Sequence, residues 1–303
     1  MSAALRQGEV DQARLVARIR AEFPELPFSK AELNDFGEDH AVTLLDDRWV
    51  FRFPRGAEAA ARGATERRLL AALTPVSPVA VPHYERVARD GAFAGYRMIA
   101  GHELTEAAFA ALPRQRQEAV LGEIGAFLRA LHALPPTLLD GLPEGASPDD
   151  AAAFVARHAE RRQRLAEALG EPLGRAADRF YAALPAAVAT DRRVVIHGDL
   201  TEDHVLLDPE AGRLAGVIDF TDAALGDPAY DFAFLWAYGA WAPGLAAQAC
   251  GESADTADTL ARSRWWFTRF RIDQVWWTIS GARAYDAARI RAELGGLFQT
   301  LEV

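Results

Sequence analysis

Two rhythms of apolar and polar positions divide this chain. From Asp11 to Phe23 apolar residues fall at Leu15, Val16, Ile19 and Phe23, the spacing of a helix face, and Pro24 and Pro27 end it. Val42, Leu44 and Leu45, then Trp49, Val50, Phe51 and Phe53, predict two strands. A helix is predicted over 58–73. A strand pair over 83–89 and 92–99 follows, turning at Arg89-Asp90-Gly91. From Leu104 the pattern becomes helical and alanine-rich. Val120, Ile124, Phe127, Leu128 and Leu131 mark one side of a helix over 114–134, which Pro135-Pro136 closes. Ser147-Pro148-Asp149-Asp150 is a helix start. Further helices are predicted over 148–169, 172–184 (stopped by Pro185), 228–236, 261–280 and 285–294, the last ended by Gly295-Gly296.

The stretch 194–231 stands apart from this scaffold. Val194-Val195-Ile196 is a short buried strand, followed by the turn His197-Gly198-Asp199. His204 precedes the apolar pair Val205-Leu206; the chain reverses at 208–212, and a strand over 214–218 delivers Asp219 at its end. Phosphoryl transfer from a nucleotide needs an acceptor for the attacking hydroxyl's proton and ligands for the metal on the phosphates. Asp199, exposed on a turn, suits the first task; His204 and Asp219, converging above one hairpin, suit the second.

His197-Gly198-Asp199, His204, Ile218-Asp219-Phe220, Gly226-Asp227-Pro228 and Asp231 together resemble the aminoglycoside phosphotransferase family. This branch of the kinase-like fold includes macrolide and choline-type kinases. Histidine at 204, where most of the family has asparagine, resembles the aminoglycoside 2''-phosphotransferases and, next, the macrolide 2'-phosphotransferases. The resemblance implies an α+β, bilobal fold: a small antiparallel-sheet lobe over 1–101, with a hinge near 97–101, and a large, mainly helical lobe over 102–303. It also implies Mg2+ and ATP or GTP.

By the same resemblance Arg52 and Glu66 take the places of a phosphate-steadying lysine and its glutamate, arginine being a departure with a wider planar fork. Residues 34–40 would cover the phosphates, and backbone groups of Arg97 and Ile99 would meet the base. Asp231 braces the catalytic loop, with His197 beside it in support, and His132 is structural. Asp222 occupies a position that contacts the aminoglycoside in the 2''-enzymes. The acidic cluster of those enzymes is replaced by residues 235–241, which include Trp236 and Trp241. An aromatic wall there suits a macrolide better than a polycation. On the helix over 261–280, Trp266, Phe270 and Trp277 form one stripe and Trp265, Ile272, Trp276 and Ile279 another, as expected of core packing on two sides. Asp273 between them could reach a ligand amine.

A formal charge of −10 disfavours nucleic acid and anionic membranes as partners. The lone Cys250 excludes an internal disulfide and a cysteine zinc site. The first residues lack the charged start and apolar run of a secretion signal, so a cytoplasmic protein is expected; a monomer is a separate expectation, which no residue pattern carries. Neither a Walker motif nor a Gly-x-Ser-x-Gly elbow occurs. The expected activity is phosphorylation of an aminoglycoside hydroxyl, 2''-type, conferring resistance. A macrolide kinase, a small-metabolite kinase and a catalytically weak nucleotide- or drug-binding homologue are the alternatives.

Overall fold

A computed structural model describes residues 10–35, 39–138, 141–251 and 256–302. The expected phosphate turn falls partly outside them, at Phe36, Gly37 and Glu38. Of the turn's ends, Asn34 closes a strand and His40 opens one.

A five-stranded antiparallel sheet occupies the N-terminal region. It runs in the order Ala31–Asn34, His40–Leu45, Trp49–Pro54, Ala94–Arg97, Tyr84–Val87. The first of these strands was not visible in the sequence pattern. Leu15 and Ile19 of the helix Gln12–Glu22, with Phe23 that caps it, bury themselves against Phe51, Phe53 and Phe93 on one face. Strand alternation turns Arg52 to the other face, toward the helix Ala57–Leu73 that carries Glu66.

The remainder is mostly helical. The helix Arg114–His132 inserts its apolar side between the hairpin Val205–Asp208/Arg213–Val217 and the helix Ala242–Cys250. A Cβ on Gly125 would lie 2.2 Å from the Ala246 carbonyl oxygen, so only glycine permits that approach. The strand Val194–Ile196 does not join the hairpin. It pairs antiparallel with Ala224–Gly226, in a small sheet beside Glu144–Gly145. The Asp199 turn and the Asp219 strand end are therefore brought together from different sheets.

Three predicted helices differ. Over 228–236 the chain forms two 3-10 turns, Pro228–Tyr230 and Phe234–Tyr238, with amides bonded three residues back. The Asp227 carboxylate caps the first, and Asp231 is held by bonds to another loop, so a straight helix is not favoured. Pro185 lies within the last turn of Glu171–Ala187 instead of stopping it. The closing helix Ala287–Thr300 runs through Gly295-Gly296. Each glycine costs about 1 kcal/mol there, and burial of Leu294, Leu297 and Phe298 offsets it. No helix among the described residues is long and apolar enough to cross a membrane.

Candidate active site

Asp199, Asp219 and Asp231 gather with His132, His197 and His204 between the small sheet of Val194–Ile196 and the hairpin, to which His102–Glu103 adds a third strand. Gly198 adopts φ +79, and a Cβ there would sit 2.1 Å from the Asp222 carbonyl oxygen. Glycine is thus required for the turn that presents Asp199. The buried Asp231 carboxylate accepts the backbone N–H of His197 at 3.0 Å and of Gly198 at 3.1 Å, and His132 Nε2 lies 3.0 Å from it. His197 Nε2 donates to the Ile218 carbonyl at 3.0 Å, which leaves Nδ1 to accept the Asp199 N–H at 3.2 Å. Burial pushes the His197 imidazole down to about 4, keeping it neutral in that role. His197 therefore ties the Asp199 turn to the strand end that carries Asp219.

Asp219 itself is left-handed, at φ 61. Its Oδ1 accepts from Arg52 at 3.0 Å and from the Thr221 hydroxyl at 2.7 Å, leaving Oδ2 toward His204 Nε2 at 3.9 Å. Burial would raise its pKa, but the Arg52 guanidinium and His204 outweigh that and hold it well below the usual carboxylate range. Arg52 is buried and spends its fork within the protein. It donates to Glu66 at 2.8 Å and Thr221 Oγ1 at 2.7 Å, and its Nη2 lies 3.3 Å from His40 Nδ1. Arg52, expected at the phosphates, lines the same cleft as Asp219 and donates to that carboxylate.

His204 links the two carboxylates. Its Nδ1 donates to the Asp199 carbonyl at 2.8 Å and lies 3.4 Å from Asp199 Oδ2. Burial opposes its positive charge, yet Asp199 and Asp219 prevail and raise its pKa. Burial also raises the Asp199 carboxyl, to about 6, against the pull of His204.

Three adjoining cavities surround this group. A cleft of about 870 Å³ is lined by Val42, Val50, Tyr96, Ile99, His204 and Asp219. A second cavity, about 520 Å³, holds Asp199, Asp222, Tyr230, Trp266, Arg269 and Trp277. A third, about 490 Å³, includes Asp199, Glu202, Asp203, His204 and Arg283 and lies between them.

Not every expected residue is there. The Arg97 side chain turns away from the cleft, to Glu85 at 3.1 Å and over the Trp49 ring at 4.6 Å, while Ile99, the other residue expected to meet the base through its backbone, lines the cleft with Met98. Trp236 donates to Ser263 Oγ at 2.9 Å, away from all three cavities, because the 3-10 turns rotate it into the helical core. Asp273 is claimed by Arg269 at 2.6 Å and Arg161 at 3.5 Å, and does not line them either. Of the two tryptophan stripes, Trp266, Phe270 and Trp277 line the second cavity, while Trp265 stacks on Phe180 and Trp276 lies under Arg161. Sequence reasoning missed Thr221, Asp150, Glu202, Asp203, Arg269 and Arg283, and had His40 only as the end of the phosphate turn. Glu202-Asp203, lying between two flagged residues, carried the one usable signal.

For a magnesium ion the fit is partial and of the expected kind. Among the described residues no three His, Cys, Asp or Glu side chains form a cage. Asp219 Oδ2 nonetheless faces the cleft, and magnesium is commonly held by one or two carboxylates plus substrate phosphates and water. His204 fits such an ion poorly as a direct ligand, because its charged form has no lone pair and magnesium prefers oxygen.

A family model described as "Phosphotransferase enzyme family" matches residues 31–266. The chain belongs to this family. Over nearly its whole length it has the kinase-like fold of solved relatives. The GDP and kanamycin complex of APH(2")-IIia matches with a TM-score of 0.74 and 26% identity, over 95% of this chain and 98% of that one. Macrolide 2'-phosphotransferase type I matches with a TM-score of 0.59 and 23% identity, over 94% and 98%. Across 160 residues the chain is 35% identical to homoserine kinase of Granulibacter bethesdensis, spanning 50% of this chain and 46% of that relative.

Proposed function

We propose that this phosphotransferase moves the γ-phosphate of ATP or GTP to a hydroxyl of an aminoglycoside, at a 2''-type position. The observation that carries this reading is His204, set between Asp199 Oδ2 at 3.4 Å and Asp219 Oδ2 at 3.9 Å. A proton acceptor and a phosphate-side carboxylate are thereby held on two sides of one side chain. Asp199, whose pKa stands near 6, takes the acceptor hydroxyl's proton. Asp219, with His204 beside it, would hold magnesium, which supplies charge neutralisation on the phosphates when bound. Arg52 and Glu66 fix Asp219, and the Arg97–Ile99 segment meets the base. His197 and Asp231 hold the Asp199 turn.

Support for a cationic acceptor comes from the second and third cavities. Asp150, Asp199, Asp222, Glu202 and Asp203 face them, against the guanidiniums of Arg269 and Arg283. That restores, from other parts of the chain, the acidic character that residues 235–241 lack. Trp266, Phe270 and Trp277 supply a flat apolar wall for a sugar ring. The name of the solved relative that binds kanamycin agrees with this reading.

Arg269 favours a second reading. A guanidinium facing the Asp199 cavity suits an acceptor that carries a carboxylate, and a homoserine kinase is among the relatives. Nucleotide consumption with kanamycin, gentamicin, erythromycin or homoserine as acceptor separates the two. Turnover with kanamycin or gentamicin supports the first, and turnover with homoserine alone overturns it.

A further inference from the structure

Phosphoryl transfer spreads negative charge over the moving group's oxygens, and a cation must meet it at the point of transfer. Arg52 lines the cleft of Asp219 but not the cavity of Asp199, and its fork is turned to Glu66, Asp219, Thr221 and His40. The cleft of Asp219 and the third cavity, which contains Asp199, share three residues: Asp203, His204 and Arg283. Anything passing from the first to the second crosses that junction. Arg283 is its permanent cation.

Arg283 is also lightly held. Its side chain is 56% exposed and is paired with Asp203, at 2.8 and 3.3 Å. An exposed ion pair of this kind is worth little and exchanges readily. The backbone beneath it is fixed by contrast. Gly281 turns the chain at φ +78 after the helix Thr256–Ser280, and the N–H groups of Ala282 and Arg283 donate to the Trp277 carbonyl at 2.9 and 3.3 Å. The Arg283 guanidinium lies 5.3 Å from the centre of the Tyr285 ring, which in turn contacts Trp277.

Resting on the phosphotransferase reading above, we propose that Arg283 is an arginine finger supplied in cis. As the acceptor oxygen bonds to the γ-phosphorus, the bond from that phosphorus to the β–γ bridging oxygen breaks. The bridging oxygen keeps the electron pair, giving the nucleoside diphosphate, and the hydroxyl proton passes to Asp199. Arg283 leaves Asp203 and donates to the non-bridging oxygens of the moving group.

The test compares binding of ADP with binding of ADP plus aluminium fluoride, a mimic of the moving phosphoryl group, in magnesium buffer. It uses the full-length chain and the variants Arg283→Ala and Arg283→Lys. Wild type is expected to bind the mimic more tightly than ADP. Arg283→Ala should lose about 100-fold for the mimic with its ADP affinity unchanged, and Arg283→Lys should recover part of the loss. Unchanged affinity for the mimic in Arg283→Ala overturns the proposal and leaves the phosphotransferase reading standing. Equal losses for ADP and the mimic also overturn it, since Arg283 is then a nucleotide or structural contact only. The same comparison is run with GDP, and a wild type that binds neither nucleotide, with or without the mimic, removes the phosphotransferase reading and this proposal together.

Discussion

The Asp231 carboxylate receives the backbone N–H of His197 at 3.0 Å, 34 residues away in the chain, and this bond sets where Asp199 stands. The same buried carboxylate takes the Gly198 N–H and faces His132. Asp231→Ala leaves these buried donors unpaired, at a cost of about 3 kcal/mol or more. Urea unfolding should show that loss, with turnover falling further than stability alone explains. A variant within about 0.5 kcal/mol of wild type contradicts the bracing role.

The Asp199 carboxyl, raised to about 6 by burial, must be ionised to accept a proton. The profile of kcat/KM against pH is therefore expected to rise through about pH 6 and level off above it. An acid limb nearer 4 would mean that an ordinary carboxylate is the base.

His40 offers a separate pH test, on stability. Burial, then the Arg52, Arg62 and Arg55 charges, push its pKa down to about 3, with Asp219 opposing. The unfolded chain takes up this proton below about 6.5, whereas the folded chain resists until about 3. Stability is thus complete above 6.5 and declines as pH falls below it, by up to about 1.4 kcal/mol per pH unit for this one group. His40→Gln should flatten the fall in urea midpoint between pH 6.5 and 5 relative to wild type. Parallel slopes would show that His40 does not contribute.

What the sequence disclosed followed distance along the chain. Ser147 and Asp150 form a capping box, and the helix Pro148–Leu169 begins and ends where its local signals place it. The 194–231 motif was legible because Asp199, His204 and Asp219 lie within one short segment. Arg269, Arg283 and Asp150 were not, since each reaches the site only through packing of distant helices. Spacing showed two tryptophan stripes on the helix Thr256–Ser280 but not which one faces the cavity; neighbouring helices decide that. Trp236 was misplaced for a local reason, the tight 3-10 turns that replaced a regular helix. The bond from Arg52 to Asp219 was not legible, because Thr221 and His40, which flank it, carry no pattern of their own.

The central claim is that Asp199 and Asp219 serve one phosphoryl-transfer centre with separate tasks. Asp199→Asn tests it most directly, by calorimetric nucleotide binding and by turnover with kanamycin on the same preparation. Nucleotide affinity is expected to stay near wild type while kcat falls by about 10²- to 10⁴-fold, the usual worth of a general base. Near-normal turnover in Asp199→Asn, or a matching collapse of nucleotide affinity, would contradict it.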